Sequence, residues 1–467
     1  MHGKEVFQLN RADTKKKQLH NNGSDMTVGS LPKKILLFSI PLMASQLLQV
    51  LFNMADVAVV GRFSSSIALG EVGSTTTLVT LFTGVLIGIG SAINVITAQH
   101  LGAKQSRDVR DTVHTSFIIS AIIGIIITVA CLALAEPMLI LIKTKEELLD
   151  GAVLYFRIYA IGMPALAIFN YGNAVLSAQG DTKRPLLYLA TAGILNVILN
   201  IFFVVVCNMS VDGVALSSII TQYLSAFLIM IRMIKNKGDC GFNFRKLKLS
   251  PDKTKKVLML GIPAAFQNAI FAIANLFIQT AVNSFDHVMV EGNSAAANAD
   301  AIIYNIMAAF YTACSTFMGQ NLGSGKPKRV MQSYFISLGY SFISGALLGL
   351  ALVGFGNEFL SLFTKDAAVA DAGMQRIMIM GFSYMLSAPM DCTIAASRGL
   401  GKSIVPTIIV IMGSCVFRVI WVYTVFAYFR SIPSLYLLYA FSWVITAAAE
   451  TVYFIITYKK TARAMAW

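Results

Sequence analysis

Charged residues are scarce in this chain: Asp, Glu, Lys and Arg make up 13% of its 467 residues, while 56% are hydrophobic. Soluble proteins carry about 25% charged residues, so the composition excludes an ordinary soluble fold. Histidine is rarer still, with 5 copies in tails, loops or segment ends. No phosphate-binding loop, nucleophile elbow or zinc-protease motif is present, so an enzyme is not expected and no cofactor is implied.

Cysteine pairing motifs are also missing. The 6 cysteines are scattered through the chain, and none forms a CxxC pair. This distribution excludes a disulfide framework and a zinc site, and it is typical of small apolar packing residues. The start of the chain is polar, and no cleavage site follows the first apolar run, so a signal peptide is not predicted.

What the chain does contain is long apolar segments. A membrane-spanning helix needs roughly 20 apolar residues, because the hydrocarbon core of a bilayer is about 30 Å thick. Twelve segments meet this length, so the sequence predicts an all-α integral membrane protein with twelve transmembrane helices. The predicted segments are 34–61, 72–100, 112–135, 152–179, 185–206, 211–234, 254–284, 296–322, 330–354, 371–397, 403–428 and 432–457.

Basic residues are distributed unequally between the two sets of loops. The loops that follow odd-numbered segments hold only Arg62, Lys143, Lys145, Lys365 and Arg430. Nearly all other Lys and Arg lie in the tails and the alternate loops, so both termini and the 232–256 loop are predicted to be cytoplasmic. The net charge of +14 is therefore explained by basic residues that set the orientation in the membrane and contact the lipid bilayer. Nucleic-acid binding is not expected.

The chain also repeats itself. Short motifs of its first half recur, at a nearly constant separation, in its second half. The recurring pairs are Ile40-Pro41 with Ile262-Pro263, Asn53 with Asn275, Gln99-x-Leu101-Gly102 with Gln320-x-Leu322-Gly323, Arg157-Ile158 with Arg376-Ile377, and Gly180-x-x-Lys183 with Gly399-x-x-Lys402. Such duplication in an apolar chain is typical of transporters, whose substrate site lies between the related halves.

An even number of spans in each half means that both halves enter the membrane from the same side. They are therefore predicted to be parallel repeats that form two lobes. The predicted organisation is a polar cytoplasmic tail (1–31), a six-helix N-lobe (32–234), a cytoplasmic linker (235–253), a six-helix C-lobe (254–458) and a cytoplasmic C-terminal tail (459–467).

Polar residues form a stripe on the first segment. Gln46, Gln49, Asn53 and Asp56 are spaced so that they share one helical face. A polar stripe does not face lipid, because unsatisfied polar groups there cost several kcal/mol. We predict that Gln46 and Gln49 line a substrate cavity, with hydrogen bonding between helices as the alternative.

Asp56 is the acidic residue of this stripe, and its carboxylate suggests a specific role. A lone carboxylate in apolar surroundings has its charged form disfavoured, and it can then exchange a proton or bind Na⁺. The alternative is a structural ion pair, for which Arg62 is the nearest basic residue in sequence. We predict a cation-coupling site at Asp56 together with Asn53, Asn196 and Asn200, the last two lying one turn apart in segment 5.

Segment 7 repeats the stripe with Gln267, Asn268 and Asn275, which are predicted cavity residues. Ile278 stands where the repeat would place a second acid, so ion coupling is expected to be asymmetric between the lobes. Asp391, inside segment 10, is a further cavity candidate. Its alternative role is a structural pair with Arg418 in segment 11.

Four more residues in the segments call for an explanation. Arg157 and Arg376 are repeat equivalents near segment ends and are expected to reach the membrane interface by snorkelling. Glu450 in segment 12 has no evident partner. Pro41 removes a backbone hydrogen bond from segment 1 and is predicted to act as a hinge, with a fixed bend as the alternative.

The order of these motifs resembles that of the multidrug and toxic compound extrusion (MATE) family of efflux transporters, bacterial type. The resemblance extends over residues 32–458. It rests on Ile40-Pro41, Asn53-x-x-Asp56-x-x-x-x-Gly61-Arg62, Ala98-Gln99-x-Leu101-Gly102, Ala178-Gln179-Gly180-Asp181-Thr182-Lys183-x-Pro185, Gly319-Gln320-Asn321-Leu322-Gly323 and Arg398-Gly399-Leu400-Gly401-Lys402. It implies two six-helix lobes in a bacterial plasma membrane that export organic cations or drug-like compounds, driven by inward flow of H⁺ or Na⁺.

The resemblance also implies roles for single residues. Asp56 matches the first-helix aspartate that the family uses for cation coupling, and Asn196 matches a conserved asparagine nearby. Asn200 departs from the family, since many bacterial members carry an aspartate there, so a two-carboxylate proton site is not expected. Segment 7 lacks the glutamate of one Na⁺-coupled branch, so the C-lobe Na⁺ site of that branch is not implied.

Three hypotheses follow. The first is a monomeric antiporter that exports amphipathic or cationic small molecules in exchange for H⁺ or Na⁺ by alternating access of two lobes. The second is a flippase for a lipid or lipid-linked sugar of the same wider superfamily, which predicts a cavity rich in Arg and Lys that the segments do not offer. The third, an integral membrane enzyme, is disfavoured because no catalytic cluster is present.

Overall fold

A computed structural model describes residues 25–465, and the regular elements within this range are helices. The rest of the predicted tails lies outside the described residues. The first half contains α1 (Leu31–Phe63), α2 (Ser66–Gly102), α3 (Ser106–Leu141), α4 (Glu146–Ala160), α5 (Met163–Ala178), α6 (Lys183–Val206) and α7 (Val211–Lys235). The second half contains α8 (Pro251–Val282), α9 (His287–Gly323), α10 (Pro327–Gly354), α11 (Gly356–Leu360), α12 (Ala367–Gly399), α13 (Ile404–Phe429) and α14 (Ile432–Ala464).

The prediction of twelve membrane spans is confirmed within residues 25–465. Eleven helices are long and apolar enough to cross a membrane, and α4 and α5 form a twelfth span that is bent by 46° at a short break. The break falls before Met163-Pro164, where a proline in the first turn of α5 lacks the N–H that would continue the helix. Each half of the chain therefore contributes six spans.

The internal repeat is visible in the backbone. The turns after α2 and α9 both contain a residue with positive φ, Lys104 (φ 55°) and Gly325 (φ 67°). The turns after α5 and α12 contain Gly180 (φ 87°) and Gly401 (φ 80°). The backbone therefore pairs Gly180 with Gly401, which corrects the sequence pairing with Gly399, because Gly399 is the last helical residue of α12.

The first helix of each half crosses between the lobes. The early turns of α1 share an apolar cluster with α9 of the C-lobe, where Phe38 meets Phe317 edge-on with ring centroids 5.5 Å apart. Its later turns pack in an N-lobe cluster around Val59. Pro41 lies inside α1, near the end of the stretch that packs on α9.

Helix α8 crosses in the opposite direction, from the N-lobe at its start to the C-lobe at its end. Val257 and Leu260 in its first turns belong to the largest apolar cluster of the N-lobe, whereas Ile278 and Val282 pack in a C-lobe cluster. The two lobes are therefore joined by a pair of exchanged half-helices. Burying these half-helices in the opposite lobe gives their apolar side chains van der Waals contacts that hold the lobes together.

The lobes are tied at one end of the bundle, which we call the basic end. It carries the loops 103–105, 179–182, 236–250, 324–326 and 400–403. Here the repeat-related Gln99 and Gln320 each donate a hydrogen bond across the lobe interface. Gln99 Nε2 donates to the Gly399 carbonyl (2.9 Å), and Gln320 Nε2 donates to the Ala178 carbonyl (2.6 Å).

A cleft separates the lobes towards the opposite end. The deepest hydrogen bond between them, from Asn268 Nδ2 to the Gly84 carbonyl (2.8 Å), lies near the middle of α8 and α2. Beyond it, no lobe-to-lobe hydrogen bond occurs within residues 25–465, and side chains on α1 and α8, such as Met54 and Ile273, are exposed. The protein is thus closed at the basic end and open at the other.

A glycine allows the close contact between α2 and α8. A Cβ atom on Gly88 would lie 2.5 Å from the backbone nitrogen of Ala265, and this backbone cannot move aside as a flexible side chain would. Larger residues are therefore excluded from this position while the basic end is closed.

We predict that Gly88→Leu opens the basic end. Overpacking costs about 1–3 kcal/mol, so the closed form should lose about tenfold in population. The measurement is disulfide cross-linking of Asn94→Cys with Thr316→Cys, whose native side chains are 2.7 Å apart across the interface, with native cysteines replaced. Gly73→Leu on the same helix is the control, because its Cβ meets no atom within 4 Å. Equal cross-linking in both variants would contradict the packing argument.

Residues 25–30, which precede α1, form a basic-end latch on the C-lobe. Met26 is 2% exposed, and its N–H donates to Gln320 Oε1 (3.2 Å). Arg329 on α10 donates to the Met26 carbonyl (3.1 Å), and Lys326 Nζ donates to the Thr27 carbonyl (2.7 Å). The start of the N-lobe is thereby fixed to the turn between α9 and α10.

Asp25 orders the beginning of this latch. Its carboxylate accepts hydrogen bonds from the backbone and side chain of Thr27 (2.8 and 2.7 Å). Burial alone would raise the pKa of Asp25, but the Thr27 hydrogen bonds and the charges of Lys34 and Lys326 outweigh burial and hold it below its usual value. Asp25 therefore stays ionised at neutral pH.

We predict that Arg329→Ala loosens the latch. Arg329 donates two hydrogen bonds to the latch, to the Gly29 and Met26 carbonyls, from a partly exposed position. Each is worth about 0.5–1 kcal/mol, so amide exchange over residues 25–30 should accelerate by about 5- to 30-fold. Hydrogen–deuterium exchange with mass spectrometry measures this rate. Lys328→Ala is the control, because Lys328 is exposed and makes no hydrogen bond within the described chain. An unchanged exchange rate in Arg329→Ala would show that the latch is held by apolar packing alone.

Candidate functional site

The polar stripe on α1 lies along the cleft side of the N-lobe. Gln46 is half-buried, whereas Gln49 and Asn53 are exposed, and none of the three has a hydrogen-bond partner within residues 25–465. Asp56 lies one turn after Asn53 and is partly exposed. The stripe thus consists of three amides without hydrogen-bond partners among the described residues, followed by the Asp56 carboxylate, which neighbouring helices contact.

Asp56 is bound to α6 through Asn200. The Asn200 side chain is fully buried, and its Nδ2 donates to Asp56 Oδ1 at 2.5 Å. The same amide group also donates to Asn196 Oδ1 (3.3 Å), one turn earlier on α6. The predicted residues Asp56, Asn196 and Asn200 are therefore brought together, whereas Asn53 remains outside this network and its coupling role stays a prediction.

Two serines on α7 complete the Asp56 site. Ser217 Oγ donates to Asn200 Oδ1, and Asn196 Nδ2 donates to Ser217 Oγ (3.4 Å). The neighbouring Ser218 hydroxyl lies close to the Asp56 carboxylate. The network joins α1, α6 and α7 and satisfies every polar atom of Asn200, so the carboxamide is held in one orientation.

Helix spacing explains this local arrangement. Asn196 and Asn200 are four residues apart, and Ser217 and Ser218 are adjacent in the first half of α7, so both pairs meet where α6 and α7 pack together. Buried hydroxyl and amide groups pair in this way because an unpaired polar group is costly in the membrane. Tyr155 on α4 also lies close enough to Asp56 to interact electrostatically with it.

The second predicted stripe, on α8, divides between the two lobes. Gln267 is 6% exposed, and its Oε1 accepts a hydrogen bond from Arg398 (2.8 Å) inside the C-lobe. Asn268, the next residue, donates to Gly84 of the N-lobe. Asn275 is exposed on the open part of the cleft. Of the three predicted cavity residues, Gln267 thus lies in the C-lobe interior, Asn268 at the lobe interface and Asn275 in the cleft.

Asp391 lies in the C-lobe beneath Tyr304. It is 8% exposed, its Oδ2 has no hydrogen-bond partner within the described chain, and Arg398 and Arg418 act on it electrostatically. It forms no direct ion pair with Arg418, whose guanidinium instead lies 4.6 Å from the ring centroid of Tyr439. Tyr304 interacts electrostatically with these buried charges and is 47% exposed, so it connects the Asp391 cluster to the surface of the lobe.

The expectation that Arg376 snorkels to the interface is wrong. Arg376 is 5% exposed and forms an ion pair with Asp300 on α9, which also accepts a hydrogen bond from Tyr384. Its repeat equivalent Arg157 is exposed, in agreement with snorkelling. The two arginines differ because Asp300 lies within ion-pair distance of Arg376, whereas no acid among the described residues does so for Arg157.

The sequence analysis missed several of these residues. Asp300 lies within a predicted segment, so counting every acid in the apolar segments would have found it. Arg398 was considered only as part of the motif Arg398-Gly399-Leu400-Gly401-Lys402, although its side chain reaches back into the C-lobe to Gln267. Ser217 and Ser218 carried no signal, because serine is common in membrane helices and only the packing of α7 on α6 gives these two a partner.

Comparison with known proteins agrees with this geometry. The family model described as MatE matches residues 41–202 and, a second time, residues 263–424. The two matches correspond to the two lobes and together cover well over half of the chain. The chain belongs to the MatE family. The resemblance and the predicted two-lobe repeat fold are thereby confirmed.

Similar proteins have MATE names or transport roles. YpnP of Bacillus subtilis, a probable multidrug resistance protein, is 29% identical over 360 residues, which cover 77% of this chain and 80% of YpnP. An FAD transporter of Shewanella oneidensis is 23% identical over 343 residues, which cover 71% of this chain and 74% of that protein. A solved outward-facing multidrug resistance MATE transporter of the MOP superfamily superimposes with a TM-score of 0.87 at 20% identity, over 94% of this chain and 99% of that chain.

Membership of the MATE family establishes the general activity. MATE proteins are multi-pass membrane transporters of small molecules and not enzymes, so the transporter hypothesis is confirmed over the enzyme hypothesis.

Proposed function

We propose that this MATE protein is a secondary active antiporter that exports amphipathic or cationic small molecules in exchange for H⁺ or Na⁺. The observation that carries the proposal is the Asp56 carboxylate, held by Asn200 at the edge of the cleft. In this lobe it has no basic partner within 4 Å among the described residues. Its charge is thus free to be neutralised by a cation from the cleft.

The donors around Asp56 favour the proton as that cation. The Asn200 side chain binds the carboxylate through its amide N–H groups, and N–H groups are not ligands for Na⁺. They stabilise the ionised form, and the remaining carboxylate oxygen accepts a proton. Protonation removes the charge, weakens the Asn200 bond and so alters the packing of α1 on α6.

Alternating access would use the exchanged half-helices. The positive-inside rule puts the basic end and both termini in the cytoplasm, so the cleft faces outward in this conformation. Opening the basic end requires the early turns of α1 and α8 to leave the opposite lobe. Pro41 and Pro263 lie near the ends of those stretches, so bending there would shift the turn that follows each proline, while the last turns of each helix, around Val59 and Ile278, stay in place.

The cleft chemistry supports cationic or neutral amphipathic substrates. Exposed amides on α1 and α8, a carboxylate and many exposed apolar side chains line the open region. The flippase alternative needs basic side chains for phosphate groups, but Arg376 is buried in an ion pair and Arg418 is 3% exposed among aromatic rings. These arginines are not available to an anionic substrate in the cleft. The protein is proposed to work as a monomer, because each chain contains both lobes of the cavity.

Transport in proteoliposomes tests the proposal. Purified protein is reconstituted, and movement of a fluorescent cationic dye is followed under an imposed pH gradient and, separately, an imposed Na⁺ gradient at constant pH. We expect dye movement against its own gradient with the pH gradient and little with Na⁺. Movement with neither gradient would overturn the antiport proposal, and movement with Na⁺ alone would overturn the choice of the proton.

A further inference from the structure

Glu450 on α14 is a buried acid that the Asp56 site does not involve. Its side chain is 0% exposed, and neither carboxylate oxygen has a hydrogen-bond partner within residues 25–465. Burying an ionised carboxylate without a donor is strongly unfavourable, whereas a protonated carboxyl carries no charge to compensate. In the conformation with the basic end closed, Glu450 therefore holds a proton.

Arg398 is the charged group beside Glu450. It lies in the last turns of α12 and interacts electrostatically with both Glu450 and Asp391, but it forms no ion pair with either among the described residues. Its NH2 group is instead bonded to Gln267 Oε1 on α8 (2.8 Å), while its Nε has no partner there. The hydrogen bond to the neutral Gln267 amide thus keeps the Arg398 guanidinium from pairing with Glu450 or Asp391.

The Gln267 bond sits where α8 passes from one lobe to the other. Gln267 is bonded to the C-lobe and the next residue, Asn268, to the N-lobe. The preceding turns of α8 pack in the N-lobe core. Any separation of the lobes at the basic end must displace α8 near Gln267. The Arg398–Gln267 hydrogen bond therefore depends on whether the basic end is closed.

We propose that Glu450 is a second proton-binding site, which exchanges its proton for the Arg398 guanidinium when the basic end opens. The proton leaves the Glu450 carboxyl oxygen for water that enters from the opened basic end, and the resulting carboxylate accepts N–H bonds from Arg398 as Gln267 withdraws. One positive charge is thus replaced by another, and the buried acid is never unpaired. The inference rests on the proposed proton-driven antiport and adds a C-lobe site to it.

The surroundings of Glu450 leave Arg398 as its charged neighbour. Helix α14 packs on α12 and α13. On α12, Arg398 faces Glu450 and Asp391 faces Arg398. On α13, Arg418 is held by Ser442 Oγ (3.1 Å) and by aromatic rings. Arg398 also interacts electrostatically with Asp391 and with the partly exposed Tyr304, so a series of polar groups links Glu450 to an exposed side chain of the lobe.

Distance measurements across the basic end test the proposal without transport or substrate. Spin labels are placed at the exposed loop residues Lys104 and Lys402, with native cysteines replaced, in an Asp56→Asn background that removes the first site. We expect the ratio of open to closed forms to rise about tenfold as the pH is raised, because deprotonated Glu450 recruits Arg398. Adding Glu450→Gln should abolish this response and keep the labels close at every pH.

Two further variants separate titration from structure. Glu450→Asp keeps an ionisable group and should retain the pH response, whereas the exposed Glu358→Gln should behave as the parent protein. Infrared difference spectra between acidic and alkaline pH should contain a protonated-carboxyl band that Glu450→Gln removes. The proposal is overturned if the Glu450→Gln protein opens with pH as its parent does, or if the infrared band is unchanged. Either result would leave dye–proton antiport untouched, so the two proposals fail separately.

Discussion

Replacing Asp56 with asparagine will abolish ion-driven export while the protein remains folded. Asparagine has nearly the same shape, and its side-chain oxygen still accepts the hydrogen bond from Asn200 Nδ2, so the contact between α1 and α6 persists. What is lost is the ionisable group. A neutral amide neither releases a proton nor attracts a cation, so the driving gradient no longer biases the lobes between their two states.

The measurement is dye accumulation in inverted membrane vesicles or proteoliposomes under a pH gradient. We expect the Asp56→Asn rate to fall to that of protein-free vesicles, with the elution profile and thermal unfolding temperature unchanged. Asp150→Asn is the matched control, because Asp150 is an exposed acid of the same lobe on α4. Export by Asp56→Asn at the rate of the unaltered protein would remove Asp56 from the coupling mechanism.

Replacing Arg376 with alanine will destabilise the C-lobe by about 3–5 kcal/mol, the usual cost of breaking a buried ion pair from one side. The guanidinium is bonded to Asp300 and to Asn293 and lies 5.0 Å from the ring centroid of Tyr436. Its loss leaves a partly buried carboxylate on α9 without its counter-charge. It also removes the one side chain of this cluster that contacts both α9 and α14 from α12, and leaves the hydrogen bonds from Tyr384 to Asp300 and from Tyr436 to Asn293.

The internal repeat supplies the control for Arg376. Arg157→Ala removes the equivalent residue of the N-lobe, which is exposed and makes no hydrogen bond within the described chain, so its effect should stay within about 0.5 kcal/mol. Thermal unfolding in detergent compares the two variants. The double variant Arg376→Met with Asp300→Asn should recover much of the loss, because no charge is left buried and unpaired. Equal unfolding temperatures for Arg376→Ala and Arg157→Ala would contradict the ion-pair argument.

Part of the fold and part of the candidate site could be predicted from the sequence. The twelve spans, the two related lobes and the family were predictable, because apolar length and ordered motifs are properties of the chain itself. Asp56, Asn196 and Asn200 were also found, since their helical spacing and the family motif both indicate a shared site. The roles of Asn53, Gln46, Gln49 and Asn275 in coupling or in the cavity remain predictions.

The sequence by itself determined which residues are apolar, where the helices lie and that the chain is duplicated. Only the tertiary structure decided which helix each polar side chain meets. Arg157 and Arg376 share the pattern Arg-Ile-x-x-x-Gly, yet one is exposed and the other is paired, because helix packing brings Asp300 within reach of Arg376 and no acid within ion-pair distance of Arg157 among the described residues. Neighbouring Gln267 and Asn268 likewise bind opposite lobes. Periodicity fixes the face of a helix, but partners separated by many residues in sequence meet only through packing of the helices.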